Sequence, residues 1–385
     1  MRKICVITNN RADYSRLKTL LKALKDRSDV ELLLFVVGSH LLHNYGYTID
    51  EIEKDGFNVT YKMHTEIDGR IPVTMAKSTG AAIMELSSAF YNFKPDMVVV
   101  HGDRFEAMAA AIAASFMNIF VAHIQGGEVT GTIDGHIRHS ITKLSHLHFP
   151  STEDAEERII KMGERADMVF NFGCPSADLL LETPLISFDD LKKEIFKYAK
   201  KEDWKNNFNE NFFMVVQHPV TTEFSYAKEK IMPLFDALNG FNHNVLMLWP
   251  NIDAGSETMV LEIKKFEKEK NGRIGLFPHF PFDLFVNIMR HAKVVIGNSS
   301  AGIREACYFG KPVVNIGTRQ EGRQRPGNVI DVDYDAEQIK SAINRHLEKG
   351  KYKPEFAYGK GNAGKNIADI LATINISQIQ KKITF

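Results

Sequence analysis

Cysteine is scarce in this chain: Cys5, Cys174 and Cys307 are the only three among 385 residues. An odd, sparse count at no metal-ligand spacing excludes a disulfide framework and suits a reducing cytosol. An excess of either charge is also absent, with Lys+Arg and Asp+Glu both at 48. A neutral chain has no general pull toward nucleic acid or an anionic membrane, so any anionic ligand must be held by a local arrangement. No window approaches the ~18 uninterrupted apolar residues of a membrane span. The greasiest segment, 107–122, is interrupted by Asn118. The N-terminal MRKICVIT runs straight into NNRAD, too short an apolar stretch for a signal peptide. Low-complexity tracts and short-period repeats are missing. So are GxGxxG, a Walker-type phosphate loop and HExxH, which removes support for dinucleotide, P-loop and zincin chemistry.

What remains is an ordinary globular composition, 44% hydrophobic and 25% charged. The chain is too long for one ordinary core, which predicts two domains. Its pattern is one of repeated β–α units. Strands are predicted at 3–9, 31–39, 96–103, 119–127 and 168–176, with helices at 11–26, 49–56, 79–95, 105–116 and 151–164. After a charged, connector-like stretch the pattern resumes. Strands are predicted at 212–219, 244–251, 273–280, 293–300 and 311–320, with AGIREACYFG as one of the intervening helices. Alternation throughout predicts an α/β protein with parallel sheets covered on both faces. Two such blocks suggest two doubly wound, Rossmann-like domains facing across a ligand cleft. The expected boundaries are 1–175 for the first domain, 176–205 for a connector and 206–363 for the second. The tail, 364–385, is expected as a helix packing back on the first domain.

Residues 101–148 carry the densest chemistry: HGDRFEAMAAAIAASFMNIFVAHIQGGEVTGTIDGHIRHSITKLSHLH. Asp103, Glu106, Glu128 and Asp134 lie here with six histidines. The strand-like runs at 98–100 and 119–124 feed these groups, and polar residues just past strand ends line ligand crevices in α/β folds. Arg11 and Ser15 open the first helix, an anion-friendly place.

In the second block, IGNSSAGIREA carries a strand into Gly297, Asn298, Ser299 and Ser300, then a helix. Its N–H groups and two hydroxyls suit phosphate, although a plain serine cap has the same look. Glu305 follows, where a carboxylate could accept from two ribose hydroxyls. Arg319 in GTRQEGR could bind diphosphate, or could belong to a solvated basic loop. His218 in VVQHPVTTE is either structural or a donor to phosphate.

At this point the chain resembles a known family, the hydrolysing UDP-N-acetylglucosamine 2-epimerases of sialic-acid and related nonulosonic-acid synthesis. The carriers are NRADYSRL, VVGSHLLHNYGYT, HGDRFEA, GGEVTGTID, IRHSITKLSHLH, HPVTTE, NIDAGS, GNSSAGIRE and GTRQEGR, in the family's order. The resemblance implies a glycosyltransferase-B-like pair of domains, with the nucleotide mostly on the second, and two-fold oligomers, dimer or tetramer. It implies no cofactor and no metal. It makes Asp103 and Asp134 catalytic acids or bases. It places Arg11, Ser15, Arg104, His218, Ser299, Ser300, Glu305 and Arg319, with Asn251 of NIDAGS, around the nucleotide. Gln125 falls where many relatives carry a glutamate. An amide cannot transfer a proton at neutral pH, so Asp103 and Asp134 suffice or Glu128 covers that role. The substrate implied is UDP-GlcNAc, or a UDP- or GDP-linked 2,4-diacetamido-trideoxyhexose. A non-hydrolysing epimerase or a glycosyltransferase of the same fold, and a non-catalytic sugar-nucleotide sensor, are the competing readings.

Overall fold

The computed structural model describes the chain except residues 44–45, 68–71, 131–133, 251–254, 271 and 385, and except the side chains of Pro72, Thr221 and Thr222. Two compact units divide it. One is built from Met1–Val129, Ile133–Leu179 and Tyr358–Phe385; the other spans Leu180–Ala357.

The first unit holds β1 (Arg2–Thr8), β2 (Val30–Val37), β3 (Val59–Met63), β4 (Met97–His101), β5 (Phe120–Ile124) and β6 (Leu147–Phe149) in the order β3-β2-β1-β4-β5-β6. All neighbours pair in parallel. Side chains of a strand alternate between the two faces, and here both faces are greasy. Ile4 and Val6 enter one core with Leu17, Leu20 and Leu34. Cys5 and Ile7 enter the opposite core with Phe35, Val98 and Phe90. The helix Phe105–Phe116 is alanine-rich where it packs on the sheet and its neighbours: Ala109, Ala110, Ala111, Ala113 and Ala114 are all buried.

The second unit holds β7 (Phe212–Val216), β8 (Asn244–Leu248), β9 (Ile274–Phe277), β10 (Val295–Gly297), β11 (Val313–Ile316) and β12 (Val329–Val332), ordered β12-β11-β10-β7-β8-β9. Counted from its own first strand, this is the same doubly wound order. In each unit the direction of winding reverses between two central strands, β1 and β4 in the first and β7 and β10 in the second. The crevice beyond the carboxyl ends at that reversal is where open α/β sheets bind ligands.

Two local expectations need correction. Residues 168–176 form no strand; a single bridge joins Val169 to His148. Phe170 and Phe172 pack over Phe149 on the edge strand, and Asn171, Gly173 and Pro175 then turn the chain away. The helix after GNSS is one short turn, Ser300–Arg304, followed by a tighter 3-10 turn, Ala306–Phe309. Five residues sum few peptide dipoles, so anion holding there rests on N–H and hydroxyl donors. Strands β3, β6 and β12, too short to show a pattern, complete the sheets.

Residues 176–205 are helical: Pro175–Glu182, Phe188–Phe196 and Glu202–Asn207. Leu191, Ile195 and Trp204 sit in the second unit's core.

The C-terminal segment returns to the first unit as the helix Ala363–Thr373 and then an irregular tail. Asp178 accepts from the Ala363 and Gly364 N–H groups at 2.9 and 2.8 Å, capping that helix. In the tail, Lys381 reaches the buried Glu164 at 2.6 Å, where Lys143 at 2.6 Å and His148 at 3.1 Å also converge. Burial alone would raise this carboxyl, but hydrogen bonds from His148, Lys143 and Lys381 outweigh it and lower its pKa to about 2.

Candidate active site

Beyond the carboxyl ends of β1 and β4 the chain gathers its carboxylates. The helix Arg11–Lys25 is capped by Asn10, whose side chain accepts from the Asp13 N–H at 3.0 Å. Asp13 in turn accepts from the Asn9 N–H at 3.0 Å and pairs with His101 Nδ1. The anion at this helix start is therefore the chain's own Asp13. Arg11 reaches Glu51 at 3.4 Å, and the Ser15 hydroxyl donates back to the Arg11 carbonyl at 3.0 Å.

The turn after β4 is pinned from both sides. The Gly102 N–H donates to the Ile124 carbonyl at 2.9 Å, and the Gly102 carbonyl accepts from His123 Nε2 at 2.8 Å. Burial holds His123 neutral, its pKa pushed down to about 3. Next in the chain, Asp103 pairs with the Arg138 guanidinium. Arg138 is buried, also donates to the Glu128 carbonyl at 2.7 Å, and lies one turn after Asp134 on the helix Asp134–Leu144. Arg138 thus ties Asp103 to the Glu128 backbone, with Asp134 one helical turn before it. Sequence reasoning missed Arg138, although its i+4 spacing from Asp134 put both on one helix face. Arg104 turns to Glu106 at 3.0 Å. The fully buried Glu106 hydrogen-bonds Glu66, whose pKa is raised to about 7 by burial and then by Glu106.

Gln125 is held through its side chain by Cys174. Its backbone is left-handed, φ 61°, and its Nε2 donates to Cys174 Sγ at 2.7 Å. Cys174 continues to the Ser176 hydroxyl at 2.9 Å. The following Gly127, φ 77°, lies so close to the helix Glu153–Lys161 that a Cβ would stand 2.3 Å from the Ala155 carbonyl oxygen. The GG pair is thus a packing requirement that lets β5 end beside this helix.

The second unit's reversal point is laced by Asn298. The His218 N–H donates to Asn298 Oδ1 at 2.7 Å, and Asn298 Nδ2 returns a bond to the His218 carbonyl at 2.8 Å. The Asn298 carbonyl accepts from Arg319 at 3.2 Å and Gln320 at 2.9 Å. Gly297 permits this approach: a Cβ there would stand 2.2 Å from the Val216 carbonyl oxygen. His218 is held well below the usual histidine pKa by burial and then by the Arg319 charge, so it is neutral. Ser299 caps the short turn, accepting from the Ala301 N–H at 3.4 Å, and Ser300 opens it. Glu305 is buried with Oε2 unpartnered among the described residues, a carboxylate left in want of donors. Asn251 lies outside the described residues. Among the described residues no three His, Cys, Asp or Glu side chains cluster as metal ligands would. None of the described helices is long and apolar enough to cross a membrane.

Comparison with known proteins converges on one group. The family described as UDP-N-acetylglucosamine 2-epimerase matches residues 22–372. A UDP-N-acetylglucosamine 2-epimerase of Neisseria meningitidis serogroup B is 34% identical over 97% of this chain and 95% of its own. A UDP-N,N'-diacetylbacillosamine 2-epimerase (hydrolyzing) of Legionella pneumophila is 35% identical over 99% of each chain. Among solved structures, UDP-GlcNAc 2-epimerase from Neisseria meningitidis bound to UDP-GlcNAc matches with a TM-score of 0.79 at 18% identity, covering 96% of this chain and 99% of that one. At that identity the likeness establishes the fold.

Proposed function

This chain belongs to the UDP-N-acetylglucosamine 2-epimerase family, and from that premise we propose that it is a hydrolysing nucleotide-sugar 2-epimerase. It converts UDP-GlcNAc and water to ManNAc and UDP. The observation that carries the reading is the pairing of Asp103 with Arg138, one helical turn from Asp134, at the carboxyl end of a doubly wound sheet.

The C2–H of such a sugar has no neighbouring carbonyl and is barely acidic. Removing it requires the C1–O bond to the nucleotide to break at the same time, which puts oxocarbenium character on C1. The enzyme must therefore stabilise a departing diphosphate and set a carboxylate beside C2. Arg319, Ser299 and Ser300, with the neutral His218 as a hydrogen-bond donor, suit the first task. Asp103, in the turn after β4, and Asp134, at the start of its helix, suit the second. One removes the proton, and a 2-acetamidoglucal and the nucleoside diphosphate result. The other returns a proton to C2 from the opposite face while water adds at C1. Glu305 suits the ribose hydroxyls.

A second substrate is favoured by a specific observation. Gln125 stands where the family resemblance implies a glutamate, and the Legionella relative is named for a diacetylbacillosamine substrate. The test offers UDP-GlcNAc, and UDP- and GDP-linked 2,4-diacetamido-trideoxyhexoses, in D2O. Nucleoside diphosphate release with deuterium at C2 of the freed sugar supports the mechanism. Inverted C2 without solvent label sinks it, and release that needs an acceptor alcohol indicates a glycosyltransferase. We also infer a two-fold homo-oligomer working in the cytosol, consistent with three free, buried cysteines and checked by light scattering and cell fractionation.

A further inference from the structure

The mechanism above leaves several buried groups unused, His101 among them. His101 closes β4, two residues before Asp103, and is 4% exposed. Its Nδ1 pairs with Asp13, a carboxylate that is itself 4% exposed and anchored by the Asn9 N–H. The carboxylate charge beside Nδ1 favours the imidazole proton on that nitrogen and leaves Nε2 as a lone-pair acceptor. Nε2 is buried and has no partner among the described residues. A buried ring nitrogen of this kind calls for an O–H or N–H donor from a water or a ligand. β1 and β4 are the strands between which the winding reverses, so Asp13 and His101 lie where a doubly wound sheet receives its ligand. An oriented imidazole with a free acceptor nitrogen is the arrangement of a general base.

Resting on the hydrolysing reading above, we propose that His101 is the base for the water added at C1 and that Asp13 is its positioning residue. In the elimination, one carboxylate takes the C2 proton and the C1–O pair leaves with the nucleoside diphosphate. In the hydration, the C1=C2 pair takes a proton from the second carboxyl group, forming C2–H and an oxocarbenium ion at C1. The water oxygen then bonds to C1, and its proton passes to His101 Nε2. The imidazolium so formed is stabilised by Asp13 and later loses its proton to solvent. The reaction thus releases one proton with each nucleoside diphosphate. This separates the two halves of the reaction: carboxylates serve C2, and the dyad serves C1.

The full-length protein carrying His101→Gln should still release nucleoside diphosphate. It should accumulate 2-acetamidoglucal, with free sugar forming at least ~10²-fold more slowly than in wild type. Asp13→Asn keeps the shape and the Asn9 contact. It should shift the same product ratio by roughly 10-fold at nearly unchanged KM. Synthetic 2-acetamidoglucal, offered with UDP, should be hydrated by the wild type and hardly by His101→Gln. Products are followed by NMR, and thermal melting confirms that each variant is folded. Folded variants that make sugar at the wild-type rate with no glucal overturn the role. So do variants in which diphosphate release and sugar formation fall together. A wild type that releases no nucleoside diphosphate from any of the offered sugars overturns the hydrolysing reading itself, and this role with it.

Discussion

The two reversal points share one topology and carry opposite chemistry. Beyond β1 and β4 stand carboxylates with dedicated cationic or imidazole partners: Asp13 on His101, and Asp103 on Arg138. Beyond β7 and β10 stand a neutral histidine, an asparagine that laces two loops, two serines and an arginine. The first set can move protons, and the second can hold an anion. The difference teaches that a doubly wound sheet decides only where a ligand goes, while the loop residues at its carboxyl edge decide what is done to it.

The sharpest way to break this contrast is to remove the acids. Asp103→Asn and Asp134→Asn should each lower kcat by roughly 10²–10⁴-fold, the usual scale for a positioned acid–base group. UDP affinity, measured by calorimetry, should barely change. Loss of UDP binding with unchanged kcat would reverse the assignment of the two edges.

The complementary experiment loosens the second edge. Asn298→Ala removes both bonds to the His218 backbone and leaves that segment without its partner. UDP affinity should fall by ~10–100-fold, corresponding to about 1–3 kcal/mol for unpaired buried groups. Solvent exchange at C2 of whatever substrate does bind should persist. Wild-type UDP affinity would mean that the lacing only serves stability.

Gln125 lies at the border of the first edge. Gln125→Glu sets a carboxylate against the buried Cys174, so it should cost stability by about 1–3 kcal/mol. Thermal melting should report that loss, with little change in the pH–rate profile. A new or shifted limb in the profile, with an unchanged melting temperature, would instead bring residue 125 to the reacting ring.

The smallest expected effect lies at the C-terminal tail. The folded Glu164 pKa of about 2 lies below the ordinary carboxylate value. Its stabilisation is therefore complete above that ordinary value and is lost as pH falls through roughly 4.5 toward 2. Lys381→Met should lower stability by about 1 kcal/mol at neutral pH and flatten the melting-temperature curve across that acid window. An identical curve would show that the tail contributes nothing through this ion pair.

Much of this molecule was legible before any coordinates. Runs such as KICVIT and ELLLFVV announce strands buried on both faces, because period-2 alternation vanishes when each face meets a core. Their regular alternation with helical segments dictated two parallel sheets. Motif residues such as Asp103, Asp134, His218 and Ser299 could be named because polar groups follow strand ends. Strands β3, β6 and β12 were hidden because VTYKM, LHF and VIDV carry no sustained apolar run. The stretch 168–176 read as a strand because aromatic residues favour sheets, yet its phenylalanines cover an edge instead.

What only the tertiary structure decided is pairing. Local composition makes Asp13 a helix-start acid and His101 a strand end, and only the family resemblance marks Gln125 as standing in place of a carboxylate. Parallel crossovers bring Asp13 to His101 across 88 positions of chain, Asp103 to Arg138, and Gln125 to Cys174. Neither partner carries a mark of the other in its neighbourhood, because contacts between strands of a parallel sheet are set by winding order. The sequence determined the sheets, their burial and the residue types at their edges. Which acid is held by an arginine and which by an imidazole became fixed only when the strands lay side by side.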